Sequence, residues 1–367
     1  MSNEDKMQKI VSLAKRRGFV FPSSEIYGGF SGVYDYGPYG AELEKNIKDF
    51  WWKTMVHNRT DIVGLDSSIV MSPSIWEASG HTSGFSDPLV ECKECNTRSR
   101  ADHLLEDIGV TADEKMSEKE INDVFRENSS KIKCPKCGAS NFSDVKNFNL
   151  LVKSNLGNFT GDSSESPTYL RGETCQGIYV NYKNVLDSTR VKIPFGIAQI
   201  GKAFRNEITT GNFFFRSREF EQMEIEFFVK PGEDEQWFEF WISAWEQFYL
   251  DLGLKKENLR RYEHPKEKLS HYSKRTVDIE YKFPFGWGEL AGVANRTDFD
   301  LKQHAAASKK DLVYQDPETN EKYVPFVIEP TMGIERAMLA VLIDAYEEIE
   351  GARTTTTEAA KESEVVL

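Results

Sequence analysis

The stretch from 201 to 228, GKAFRNEITTGNFFFRSREFEQMEIEFF, constrains this chain more than any other. It reads as two strands joined by a loop, because apolar and polar residues alternate on both sides of a polar, glycine-containing centre. Arg205 and Glu207 stand on the first strand and Arg216 returns towards the second, which carries Glu219, Glu221, Glu224 and Glu226 among aromatic residues. That alternation predicts several carboxylates on one sheet face. A face holding both arginines and glutamates is costly to assemble unless a ligand completes it. Two guanidinium groups at this spacing suit a triphosphate, one gripping a phosphate as a bidentate fork and the other neutralising the tail. The plain alternative is a surface hairpin laced with charge.

Around this hairpin the sequence divides into parts. Residues 3 to 17 read as a first helix, followed by the glycine- and tyrosine-rich IYGGFSGVYDYGPYG. Residues 41 to 56 place Leu43, Ile47, Phe50, Trp51 and Met55 near helical spacing, and DIVGLDSSIVMSP reads as a strand. Residues 234 to 253 predict an aromatic-rich helix with Gly253 as its C-cap. In VIEPTMGIERAMLAVL a strand is expected to end at Glu329-Pro330, a turn to contain Gly333, and a helix to begin near Ile334 with Arg336 in its first turn. Glu173 lies in the glycine-flanked YLRGETCQG, and Glu289 follows the Gly-Trp-Gly turn of GWGELAGVANR. A lone glutamate in such a strand is ordinarily solvent-facing. The expected divisions are 1–89 and 148–349 as the two parts of a core, 90–147 as an insertion, and 350–367 as a low-complexity linker.

The insertion carries Cys92-x-x-Cys95 and Cys134-x-x-Cys137, separated by residues 96–133. Thiolates in two such pairs bind one zinc ion tetrahedrally, with no position left open for catalysis. Cys175, the fifth cysteine, stands alone and reads as a small packed side chain outside that set. Five clustered cysteines do not make a disulfide scaffold.

The net charge is −13, from 46 basic and 59 acidic residues. That balance argues against nucleic-acid binding by the surface as a whole. Lys15-Arg16-Arg17, and Lys255-Lys256 with Arg260-Arg261, are local basic strips, read as solvated helix faces or as places an RNA could touch. No apolar run approaches the ~20 residues that span a bilayer, and the mixed-charge start lacks the apolar stretch of a signal peptide. The cytosol is the expected location.

The 201–228 hairpin resembles motif 2 of the class II aminoacyl-tRNA synthetases, and residues 327–342 resemble motif 3. With YGGFSGVYDYGPYGAELEKNIKDFWW, SGHTSGFSDPLVECKEC, YLRGETCQG and FVIEPTMGIER, the resemblance narrows to the homodimeric glycyl-tRNA synthetase family, over about Ile10 to Glu348. It implies an α+β fold, an antiparallel sheet flanked by helices, with motif 1 in the 41–56 helix forming a dimer interface. It implies ATP-dependent formation of glycyl-adenylate and transfer of the glycyl group to tRNA(Gly), with Mg2+ accompanying ATP.

By that resemblance, Arg205, Glu207 and Arg336 are the catalytic set. Asn206, Phe215, Arg216, Phe220, Leu290 and Gly333 complete the ATP site, and Glu289 holds Mg2+. Phe220 and Arg336 would stack on the two faces of the adenine. Glu173, Glu224 and Glu329 would surround the glycine ammonium, with Arg100, Gln222 and Thr331 close by. The chain departs from the family at Gly172 and Cys175, where Pro and Ala are usual, and at Thr331, where Ser is common. It stops where a C-terminal anticodon-binding domain would begin, so charging of tRNA is expected to lag behind adenylate formation. The competing readings are a threonyl or prolyl enzyme of the same class, and an inactive synthetase-like subunit that binds nucleic acid.

Overall fold

The computed structural model describes residues 3–112, 116–155, 168–270, 272–349 and 364–366. Its centre is a seven-stranded sheet: β1 (Ile62–Gly64), β2 (Phe195–Phe204), β3 (Glu219–Val229), β4 (Leu259–Glu263), β5 (Arg275–Phe283), β6 (Gly286–Thr297) and β7 (Phe326–Gly333). The spatial order is β4-β5-β6-β7-β3-β2-β1. Every pairing is antiparallel except that of β1 with β2. The helices against it are α1 (Pro38–Trp52), α2 (Cys175–Thr189), α3 (Asp234–Asp251), α4 (Phe299–Ser308) and α5 (Ile334–Ala345).

The period of two along each strand sorts side chains to two different cores. Met223, Ile225 and Phe227 of β3, with Ile328 and Met332 of β7, pack with Trp51 of α1, Trp241 and Trp245 of α3 and Leu339 of α5. On the other face Phe228 and Val327 pack with Ile178 and Tyr182 of α2 and Leu301 of α4. Gln222, Glu224 and Glu226 share this second face, whereas Glu219 and Glu221 have the opposite parity. Those two ion-pair with Lys202 and Lys48. The expectation of several carboxylates on one face is met by Glu224 and Glu226, while strand parity sends Glu219 and Glu221 to the other side, where lysines neutralise them.

Other boundaries also move. The strand expected over DIVGLDSSIVMSP is confined to Ile62–Gly64 at the sheet edge. The strand of motif 3 runs through Pro330 to Gly333, and α5 follows directly at Ile334 with no intervening turn. The register of β3 with β7 passes from Glu224↔Thr331 to Phe227↔Ile328, so the ladder lapses beside Pro330, which has no N–H to give. The α3 helix ends as expected: Gly253 has φ 100° and the Leu254 N–H bonds back to Tyr249 O. Gly201 of β2 is required for space, since a Cβ there would lie 2.1 Å from Nη2 of Arg171.

The insertion has its own small sheet, in which Ser86–Glu91 pairs with Arg98–Arg100 and with Lys146–Asn149. The helix Glu118–Glu127 opens with a capping box between Ser117 and Glu120. Val90, Leu105, Ile121 and Phe125 form the heart of a separate apolar cluster. The expected linker 350–367 falls largely outside the described residues, apart from Glu364–Val366, which pairs with Glu347–Ile349. Among the described residues no helix is long and apolar enough to cross a membrane.

Candidate active site and candidate zinc site

Motif-derived positions from three strands and two adjoining segments converge on a cavity of about 180 Å³ over the middle of the sheet. Glu173, Arg205, Gln222, Glu224, Glu289, Glu329 and Thr331 all line it. The register explains the convergence: Glu224 on β3 lies opposite Thr331 on β7, and Thr331 and Glu329 lie opposite Gly292 and Ala294 on β6. These residues therefore share one face of three adjacent strands. The segment before α2 brings Glu173 over the same spot, where the backbone N–H of Thr174 donates to Gln222 Oε1 and Thr174 Oγ1 to Glu224 Oε2.

The three glutamates do not carry equal charge. Burial works against ionising Glu173, but His81, Arg296 and the Cys175 thiol outweigh it and hold its carboxyl well below the usual range. His81 Nε2 lies 3.1 Å from Glu173 Oε1, which also accepts from Cys175 Sγ at 3.0 Å and Gln176 Nε2 at 2.9 Å. Burial, then the charges of Glu329 and Glu173, push Glu224 well above its ordinary value. Glu329 is raised as well, by burial and by Glu173, against the pull of Arg296. Arg296 is 2 % exposed and holds Glu329 Oε2 at 2.9 Å and Asp300 Oδ2 at 2.7 Å. The pocket thus sets Glu173, favoured as the anion, beside two carboxyls whose ionisation burial opposes, one of them already bonded to Arg296. A positive group placed among them would favour their charged forms.

The other end of the cavity is built for anionic and aromatic groups. Arg205 Nε donates to Gly172 O at 3.1 Å, and its guanidinium lies 5.1 Å from the ring centre of Phe85 and 5.3 Å from that of Phe220. Arg336, from the first turn of α5, bonds Glu289 Oε2 at 2.8 Å and rests 4.5 Å from the Phe215 ring centre. Phe220 faces Arg205 here, and Arg336 faces Phe215. Burial raises Glu207 against the opposing charges of Arg216 and Arg205, and its Oε2 is buried with no hydrogen-bond partner among the described residues. Asn206 is anchored through its backbone N–H to Leu150 O.

Three expected positions stand apart. Arg100 bonds Asp87 at 2.8 Å and Asp102 at 3.1 Å and does not line the cavity; its charge acts on Glu207 instead. Leu290 is fully buried in the main core, with its carbonyl accepting from Tyr249. Gly333 caps α5 beside the Arg336 side chain. Sequence reasoning missed His81, Gln176, Tyr272 and Asp278. Only the spacing of Arg296 and Asp300, one helical turn apart, offered a local signal for the group that holds Glu329.

A divalent cation fits the same wall. The Cβ that a side chain would place on Gly292 falls 3.5 Å from Asp278 Oδ1 and 3.8 Å from Glu289 Oε1, so two hard oxygen donors flank this open point. In the insertion, the sulfur atoms of Cys92, Cys95, Cys134 and Cys137 lie within 4.8 Å of one another. Cys92 and Cys137 are 3.6 Å apart at sulfur, as are Cys95 and Cys134. Zinc–sulfur bonds of about 2.3 Å in a tetrahedron give edges of about 3.8 Å, so the four thiols fit the ion.

This sequence has counterparts among known proteins. A family model described as the tRNA synthetase class II core domain (G, H, P, S and T) matches residues 158–346. A glycine–tRNA ligase of Alkaliphilus oremlandii is 56% identical over 95% of this chain and 76% of its own length. Those of Clostridium acetobutylicum and Clostridium tetani are 57% and 55% identical, over 96% and 97% of this chain and 77% and 78% of theirs. The chain belongs to the glycine–tRNA ligase family of class II synthetases.

Proposed function

We propose that this chain activates glycine with ATP and passes the glycyl group to the 3′ end of tRNA(Gly). The observation that carries this reading is the meeting of Glu173, Glu224 and Glu329 with Arg205 on the wall of one small cavity. Glu173 receives the glycine ammonium, and the charge of that ammonium favours the ionised forms of Glu224 and Glu329 beside it. Glycine has no side chain to grip, so the cage fixes its ammonium while the walls exclude a Cβ. Gln222 and the Thr331 hydroxyl, which is buried without a partner among the described residues, complete the amino-acid side.

One carboxylate oxygen of glycine then attacks the α-phosphorus of ATP, and the bond to the pyrophosphate oxygen breaks. No general base is needed, because the nucleophile is already an anion. Arg205 holds the α-phosphate as charge builds on it. Arg216 reaches towards the β- and γ-phosphates, and Glu207 and Phe220 take the adenine side with Asn206, Phe215 and Gly333, while Leu290 supports that wall from the core. Arg336 leaves Glu289 to cover the second adenine face, while Arg100 supports the site through Glu207. Glu289 would hold Mg2+, which when bound would supply positive charge to screen the phosphates. Cys92, Cys95, Cys134 and Cys137 hold a structural zinc ion.

The same reading places the protein in the cytoplasm as a homodimer. Supporting the dimer, Ile26, Tyr27, Phe30 and Tyr39 expose large apolar side chains ahead of and within α1, at 89%, 87%, 59% and 62%. ATP–pyrophosphate exchange measured with each of the twenty amino acids tests the central claim. Stimulation by glycine is expected. Stimulation by threonine or proline instead, or by no amino acid, overturns it.

A further inference from the structure

Behind the carboxylates that line the cavity stands a thiol that the proposed reaction does not use. Cys175 Sγ and one carboxylate oxygen from each of Glu224, Glu226 and Glu329 lie within 4.8 Å of one another, and all four residues are buried. Cys175 and Glu226 are absent from the cavity wall, so they stand beneath it. The fold explains the cluster. Cys175 is the first residue of α2, Glu224 and Glu226 share one face of β3, and Glu329 lies on the neighbouring β7.

Crowded carboxylates alone indicate nothing. Glu226 adds a separate observation. Its side chain is 0% exposed and Oε2 accepts from Tyr179 at 2.7 Å, yet Oε1 is buried with no hydrogen-bond partner among the described residues. Leaving such an atom buried and unsatisfied disfavours the fold. Arg296, the cation bonded to this cluster, is already shared between Glu329 and Asp300. A positive group seated between Sγ and the three carboxylates would satisfy Glu226.

We propose that Cys175, Glu224, Glu226 and Glu329 form a second, inhibitory site for a thiophilic divalent cation, with Zn2+ the best match. On binding, the Cys175 thiol and any carboxyl of the three that carries a proton give it to water, one sulfur–metal bond and carboxylate–metal bonds form, and nothing is oxidised or reduced. One sulfur donor beside oxygen donors selects zinc over Mg2+, which takes oxygen alone. The ion occupies Glu224 and Glu329, so it competes with glycine; that clause rests on the proposed role of those two residues.

Metal analysis after dialysis of the zinc-loaded protein against free Zn2+ tests the site. The wild type is expected to bind a second zinc ion per chain that Cys175→Ala does not, while both retain the ion of the four-cysteine site. The zinc concentration for half-saturation of the second site should rise about tenfold or more in Glu226→Gln, which also serves if Cys175→Ala fails to fold. Equal zinc content in the wild type and a folded variant overturns the proposal. Glycine should displace the second ion. If the ion binds and depends on Cys175 but glycine leaves it in place, the metal site stands and the assignment of Glu224 and Glu329 to glycine falls.

Discussion

The insertion and the central sheet hold their charged groups in opposite ways. In the insertion, a small cluster around Val90, Leu105 and Phe125 supplies the apolar contacts, and four thiols converge at one end of it. Its thiolates are stable only with an ion between them, so protons oppose the fold there. The sheet has aromatic cores on both faces and uses that surplus to bury carboxyls that prefer to stay protonated. There protonation favours the fold, and in the proposed function a substrate ammonium offsets the same burial. One region borrows stability from its ligand; the other spends stability to prepare for one.

The largest effect expected from this contrast is on the insertion. Cys134→Ser, or zinc removal by a chelator, forfeits a metal-binding free energy of about 10 kcal/mol at neutral pH. Hydrogen exchange should then show the amides of 90–147 exposed and those of β3 and β7 still protected; equal loss in both regions would break the comparison. Next, Arg205→Ala should lower glycine-dependent pyrophosphate exchange about 10³-fold with little change in thermal unfolding, as for loss of a group that acts on developing charge. A variant that unfolds with its activity would place Arg205 among the structural groups instead.

Acidity gives the third test. Burial raises Glu335 of α5 from 4.5 to about 7, although it accepts from Tyr36 at 2.8 Å and the Glu221 N–H at 3.0 Å. The folded chain keeps a proton there that the unfolded chain has lost. Its contribution is full below pH 4.5 and fades as the pH rises to about 7, a change of about 3 kcal/mol. Glu335→Gln should flatten denaturant midpoints across that window, whereas zinc retention should worsen in the opposite direction, as the pH falls. The smallest effect separates the two ends of the cavity: Glu329→Ala should raise the glycine KM about a hundredfold and leave the ATP KM within about twofold. Equal change in both would dissolve the assignment of the carboxyl cage to the amino acid.

Much of this was legible because the informative residues are neighbours in sequence. The two Cys-x-x-Cys pairs announce their own geometry, and Arg205, Glu224, Glu329 and Arg336 sit on long strands or a helix start whose spacing places them. What stayed hidden depends on contacts between distant segments. Nothing near His81 says that it faces Glu173, and nothing in GWGELAGVANR says that Arg296 turns inward to hold Glu329 while Leu290 turns to the core. The split of the glutamates between two faces was written in the parity of β3, but choosing the buried face required knowing where α2 and α3 lie. Arg100 was misplaced for a related reason: its partners Asp87 and Asp102 belong to the insertion, whose seat on the core no local pattern gives.

The strand Ser86–Glu91 has a practical consequence for anyone trimming this molecule. At one end Phe85 packs on Arg205 and its carbonyl receives the Leu150 N–H; at the other Cys92 enters the four-sulfur cluster. A shortened variant whose deletion runs past Ser86 into Phe85 would also cut away the ring that packs on Arg205. The splice has to keep Phe85 and Leu150, so the removable cassette lies within 86–149, a wider span than the one from Cys92 to Cys137.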